Sequence, residues 1–193
     1  MTAGRGSSTG QDLHADLPDG LLTVRAGEGD EDAFAVLVRR HGGRLLALAQ
    51  RLLGSPTDAE DAVQDAFISA WRQLPEFHQH ASFGTWMYRI VTNRCLNMKR
   101  VRRPLSLDTL PEPAAADPGS SPPRVAESEA AAAALSRALL ELGPELRVCW
   151  VLRELHGLSY AEIAHVVGSS EQTVRGRLFR ARRALMEAMR PWR

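Results

Sequence analysis

The stretch Ser159 to Leu185, SYAEIAHVVGSSEQTVRGRLFRARRAL, decides how this chain is read. Ser159 and Glu162 form a capping box for a short helix whose Ile163, Val166 and Val167 share one face. Gly168 supplies the positive φ that a sharp turn demands. Ser169 and Gln172 then read as the opening of a second helix, with Val174, Leu178, Ala181 and Leu185 as its buried stripe. Thr173, Arg175, Gly176, Arg177, Phe179, Arg180 and Arg183 fall elsewhere on that helix. Two helices joined by a glycine turn, the second basic on its exposed side, describe a helix-turn-helix. In that geometry the second helix enters the major groove, where arginine can read guanine with two hydrogen bonds and other side chains hold phosphates. Gly176 allows close approach, and Phe179, an apolar group among arginines, suits contact with a base or its methyl. A solvated surface helix would explain the arginines but not the helix and turn before them. A membrane-surface helix lacks the broad Leu/Trp face it would need. Duplex DNA is the expected ligand.

The rest of the composition is compatible with that reading. With 193 residues the chain can form one medium domain or two small ones. A formal charge of +1 conceals segregation: residues 81–103 hold six bases and no acid, and residues 171–193 hold seven arginines against two glutamates. Such local patches point to specific polyanion contacts. No apolar run approaches the roughly 20 residues of a membrane span, and the N-terminus lacks the order of a signal peptide. Membrane association is not expected. Cys95 and Cys149 stand far apart without a CxxC, so neither a disulfide framework nor a zinc site is expected, and a reducing cytoplasm fits. His78 and His80 could begin a metal site, but no third ligand accompanies them, and no cofactor is assigned.

All useful periodicity is helical, and the fold class is all-α: two small helical domains joined by a flexible acidic Pro/Ala-rich linker. Residues 1–16 read as a disordered tail. Residues 104–129 read as the linker, because the run from Arg102 to Ala130 carries six prolines and, after Pro104, five acids against one arginine. The first domain is then 17–103 and the second 130–193. Within the first, Phe34, Leu37, Val38, His41, Leu45, Leu48 and Leu52 mark one helix, with Asp30 placed to cap it. A second starts at Pro56 with the capping pattern Thr57…Glu60 and turns Ala59, Val63, Ala66, Phe67, Ala70 and Trp71 inward. A third begins near Ser82 and stops at Pro104, with Met87, Ile90, Val91, Cys95 and Met98 on its apolar face. Cys95 reads as a small buried hydrophobe, and Trp86 and Tyr88 as core or rim.

The helix-turn-helix resembles the C-terminal promoter-binding domain of extracytoplasmic-function (ECF) sigma factors of the sigma-70 family. Upstream, DAEDAVQDAFISAW is similar to their most recognisable N-terminal motif, and FGTWMYRIVTNRCLNMKRVRR to the promoter-melting helix that follows it. The likeness covers nearly the whole chain except the tail, with the motifs in matching order. It implies a noncatalytic subunit that brings bacterial core RNA polymerase, through its β′ coiled coil and β subunit, to promoter DNA. The polymerase-binding face would be Asp61, Gln64, Asp65, Ile68 and Arg72, an exposed isoleucine ringed by carboxylates and an amide, meeting a basic partner. The −10 element would be read and melted by Phe77, the loop His78, Gln79 and His80, and Arg89, Asn93, Asn97 and Arg100. Amides and guanidiniums in a row suit base edges and phosphates, and a flipped base needs a π-face and hydrogen-bonding walls. Relatives often carry an Arg-Gly-Asp-like segment where this chain has His78, Gln79 and His80, and an aliphatic residue in place of Ser169.

The −35 element would be read by Arg175, Gly176, Phe179 and Arg180, with Thr173, Arg177, Arg183 and Tyr160 on the backbone. The resemblance further implies that the acidic linker, with Asp108, Glu112 and Asp117, threads the channel that nascent RNA will occupy, although a passive tether has the same composition. An anti-sigma factor is a common companion of the family. The competing class is a free-standing helix-turn-helix regulator, which would bind a palindromic duplex site without polymerase.

Overall fold

In the computed structural model, residues 14–77, 81–102 and 123–192 are described, and among them there is no strand. Residues 1–13 of the expected tail, the loop His78–His80, residue 103 and residues 104–122 of the expected linker lie outside the described residues. The first half comprises α1 (Asp19–Gly27), α2 (Glu31–Leu53), α3 (Pro56–Gln73), a 3-10 turn (Leu74–Glu76) and α4 (Phe83–Arg102). The second comprises α5 (Pro123–Glu141), α6 (Pro144–Trp150) running into a π-helical turn (Val151–Leu155), α7 (Tyr160–Val167) and α8 (Glu171–Ala188), with a last 3-10 turn (Arg190–Trp192).

Local chemistry sets each boundary. Asp30 caps α2, accepting from the Ala33 amide at 3.0 Å, and the same carboxylate meets His14 Nε2 at 3.0 Å. Ser55, rather than the anticipated Thr57, caps α3: its hydroxyl accepts from the Asp58 amide at 3.3 Å. Pro56 has no N–H and a fixed φ, so it takes the first helical position and the cap falls two residues earlier than Thr57. Ser82 starts α4 in the same way, accepting from the Thr85 amide at 3.1 Å. Gly54 ends α2 at φ 77°, a conformation that costs other residues strain.

Two elements were not anticipated. Helix α1 offers little periodicity, and ion pairs from Asp19 to Arg40 (2.6 Å) and His41 (2.7 Å) tie it to α2. Helix α5 begins at Pro123, inside the stretch expected to be linker. Proline at the first position and the alanine run after it favour a helix where the acids suggested a coil.

The core is continuous across both halves. Leu22, Leu37, Leu45, Leu48, Met87 and Val91 are buried in one cluster with Val148, Leu152, Ile163 and Val174. Leu139, Ala181 and Leu185 form a smaller cluster between α5 and α8. Helix α4 packs on α7, and α2 on α5 and α6. Cys95 and Cys149 are both buried in the larger cluster.

Arg147 joins the halves. It is 3% exposed, and its guanidinium donates to the carbonyls of Leu139 (2.6 Å), Leu142 (2.9 Å), Leu140 and, from the other half, Leu52 (2.7 Å). Burial pulls its pKa down to about 10, so it remains charged at neutral pH.

Arg147→Met should lower unfolding stability by about 3 kcal/mol or more, since buried carbonyls left without donors cost about 1–3 kcal/mol each. Arg147→Lys should restore part of that loss. Urea denaturation of the three proteins measures both. Burial pushes the Cys95 thiol up to about 12 and raises that of Cys149. Because the thiolate is the nucleophile, the native chain should leave Ellman's reagent unreacted at pH 8, and both thiols should titrate after denaturation.

Candidate nucleic-acid interface

Helix α7 and helix α8 form the anticipated motif. Ser159 accepts from the Glu162 amide at 3.2 Å, and the Glu162 carboxylate accepts from the Ser159 amide at 2.8 Å. Those bonds hold the Glu162 carboxyl below its ordinary range. Gly168 takes φ 61° between the helices. The cap of α8 is Ser170, one residue later than expected, accepting from the Thr173 amide at 3.2 Å. The Ser169 amide is already spent on the Ala164 carbonyl at 2.9 Å, closing α7, so Ser169 belongs to the turn.

The stripe Val174, Leu178, Ala181 and Leu185 is buried as read, which fixes the rotation of α8 about its axis. The arginines then divide. Arg177 and Arg182 bind Glu145 (2.5 Å) and Glu154 (2.6 Å), on α6 and the π turn. The Arg177 side chain is 16% exposed, so it sits as a strut rather than on the open face where sequence placed it. Arg175, Arg180 and Arg183 face solvent together with Thr173 and Gly176. Phe179 is 68% exposed in their midst, an arrangement that burial of apolar area in water does not favour. Arg153 and Arg175 both lie over the ring of Tyr160, at 4.9 and 5.5 Å. A β-carbon added at Gly176 would meet nothing within 4 Å, so the open space beside α8 belongs to solvent or to a ligand.

A second polar surface lies between α3 and α4. A cleft of about 830 Å³ is lined by Asp65, Arg72, Arg89, Asn93, Arg94 and Asn97 among others. Trp86 also lines it, with Phe77 packed against the indole at a centroid distance of 4.4 Å and 30° between planes. The structure thus gathers Arg89, Asn93 and Asn97 around one concavity, which Phe77 joins through its contact with Trp86, and Arg100 is exposed farther along α4. Arg94, which sequence reasoning did not single out, ion-pairs with Asp65 across the cleft. Tyr88 is 8% exposed and takes no part in the cleft, because its hydroxyl bonds His156 Nδ1 at 3.0 Å.

On the outward side of α3, Asp61, Gln64 and Arg72 are exposed and Ile68 is 45% exposed. Ile68 also rims an apolar groove of about 910 Å³ between α2 and α3, floored by Phe34, Val38, Leu46, Phe67 and Trp71. Phe34 and Val38 carried the periodicity of core residues, yet they are only half-buried. Among the described residues, no group of three His, Cys, Asp or Glu side chains is placed to hold a metal ion, and no helix is long and apolar enough to cross a membrane.

Comparison with known proteins agrees in both halves. Residues 37–104 match the family model described as Sigma-70 region 2, and residues 132–185 match that described as Sigma-70, region 4. The chain is 37% identical to the ECF RNA polymerase sigma-E factor of Escherichia coli, over 91% of this chain and 96% of that protein. It is 36% identical to the RNA polymerase sigma-H factor of Pseudomonas aeruginosa, over 90% of this chain and 94% of that one. Among solved structures it is similar to CnrH in complex with the cytosolic domain of CnrY, with TM-score 0.68 and 32% identity over 89% of this chain and 96% of that one.

Gly176 sits at an exposed helix interior where alanine is favoured by about 1 kcal/mol. Gly176→Ala should therefore raise the melting temperature by about 2–4 °C, as read by circular dichroism. No rise would mean that the backbone there departs from regular helix.

Proposed function

Because the chain belongs to the sigma-70 family, as an ECF sigma factor that directs RNA polymerase to promoters, we propose how its residues divide that work. Helix α3 meets core polymerase through Asp61, Gln64, Asp65, Ile68 and Arg72. Those acids would set register and speed of association with a basic coiled coil. The α3–α4 cleft takes the −10 element. Arg89, Asn93 and Asn97 present guanidinium and amide groups to base edges, and the Phe77–Trp86 pair offers a π-face to an unstacked base. Arg100 would hold a phosphate, and the loop His78–His80 would complete the rim.

Helix α8 enters the major groove at the −35 element, with Arg175, Gly176, Phe179 and Arg180 toward the bases. Thr173, Arg183 and Tyr160 would contact the DNA backbone. Arg177 would serve it indirectly, by fixing α8 on Glu145. The chain acts by binding rather than by catalysis, in the cytoplasm where polymerase and promoter are found. The observation that carries this reading is the open face of α8: buried apolar residues lock the helix, two arginines are consumed as struts, and the remainder surround an exposed phenylalanine. The solved structure of CnrH is of its complex with the cytosolic domain of CnrY. A protein partner that offers an apolar helix face would suit the apolar groove between α2 and α3.

Run-off transcription on genomic fragments, with core polymerase plus or minus this chain, should give discrete new starts preceded by a shared two-part motif. A specific footprint by the chain alone without new starts would favour the free-standing regulator. In the same assay, Gln64→Ala with Ile68→Ser should reduce polymerase capture at least tenfold while the melting temperature holds, since both side chains are exposed. Phe179→Ala should leave capture intact and weaken only transcription that depends on the −35 element.

A further inference from the structure

Among the described residues that line the α3–α4 cleft, Asp65 is the one acid, against Arg72, Arg89 and Arg94. A carboxylate in a cleft that takes a polyanion repels its ligand unless a cation answers it. In the free chain Arg94 does so, pairing through Nη2 with Asp65 Oδ2. The pair removes a cation from the cleft, because a guanidinium spent on a carboxylate is not available to a phosphate. Arg94 otherwise stands where one would be met. It lies four residues beyond Ile90 and three before Asn97, and all three line the cleft. Resting on the assignment of this cleft to the −10 element, we propose that Arg94 is a further promoter contact, a phosphate ligand that Asp65 holds in reserve. It is released when the basic surface of polymerase takes the carboxylate.

The form of the pair suits exchange. Arg182, a strut, grips Glu154 through both Nε (3.1 Å) and Nη2 (2.6 Å). Arg177, the other strut, has a side chain only 16% exposed. Arg94 binds through one nitrogen, and the side chains of Arg94 and Asp65 are 49% and 45% exposed. An exposed pair of this kind is favoured by no more than about fivefold. Asp65 also belongs to the α3 face proposed to meet polymerase, beside Asp61, Gln64 and Ile68, so one carboxylate serves two surfaces. A partner's cation on its outward side competes for the same oxygens and repels Arg94 by like charge. Only a side-chain rotation is then required, because Met87, Val91 and Cys95 fix α4 in the core. The coupling is reciprocal: a strand that captures Arg94 frees Asp65 for the partner.

The test titrates a dye-labelled single strand, carrying the start-proximal motif found by run-off transcription, against the full chain alone and against its complex with core polymerase. In the free chain, between about 50 and 200 mM salt, Asp65→Asn should steepen the slope of log affinity against log salt by about 0.7, the value of one phosphate contact on a single strand. Adding Arg94→Ala should abolish that increment. Arg94→Ala by itself should cost less than about twofold in the free chain and about fivefold in the polymerase complex. Arg94→Lys should keep most of the affinity in the complex. A charge acting only at long range would lose the same factor in every background, and that result overturns the exchange, as does an unchanged slope in Asp65→Asn. Arg94→Ala should capture polymerase as wild type does in the absence of DNA. Loss of capture would put Arg94 on the polymerase face and overturn its assignment to DNA. Arg89→Ala separates the inference from the reading beneath it. If Arg89→Ala weakens strand binding in the complex and Arg94→Ala does not, the Arg94 assignment alone falls. If neither does, the −10 cleft falls with it.

Discussion

The buried guanidinium of Arg147 is met by carbonyl oxygens instead of a carboxylate. Leu52 lies at the C-terminal end of α2, and Leu139, Leu140 and Leu142 lie at that of α5. Each helix end carries roughly half a negative charge, so two ends converging on one side chain approximately balance it. The bonds also satisfy carbonyls that a helix terminus leaves without partners. A lysine could supply charge but not the planar fork that reaches both ends. Helix α6, which carries Arg147, is thereby fixed to α2 and α5 together. Through Glu145 and the adjacent Glu154, the same segment orients α8. The bearing of α8 thus traces back to one buried residue on another helix.

That dependence explains which features could be read from sequence. The helix-turn-helix was legible because its information is local: a capping box, a left-handed glycine and a stripe at helical spacing all lie within 27 residues. The stripes of α3 and α4 were legible for the same reason. Boundaries slipped by one residue where two serines competed, at Ser169 and Ser170, and by one cap where Pro56 displaced the start of α3. Periodicity locates a face but not the hydrogen bond that ends it. Helix α1 was missed because its apolar face is short, with Leu22 and Ala26 buried, and because Arg40 and His41, some twenty positions away, bond Asp19 at its start. Arg147 was invisible because a lone arginine in ELGPELRVCW reads as a surface charge unless the two helix ends are known to converge on it.

The candidate site shows the same limit. Sequence named the basic residues of α8 but could not sort struts from open groups, since that division depends on Glu145 and Glu154 in another element. It placed Asp65 on an outward face, whereas the Asp65–Arg94 pair bridges to the −10 cleft. The proposed polymerase surface and the α3–α4 cleft therefore share a wall in α3. An exposed pair of this kind contributes little stability.

The connection between the halves has a consequence of its own. Twenty residues keep each half in the other's neighbourhood at an effective concentration in the millimolar range. A contact between the halves is therefore easier to keep formed within one chain than between separate molecules. Such a contact tolerates the unpartnered hydroxyl of Thr92 and the crowded amine of Lys99, because proximity makes up what its chemistry lacks. Changing the length of that connection would reset the balance without altering a single contact.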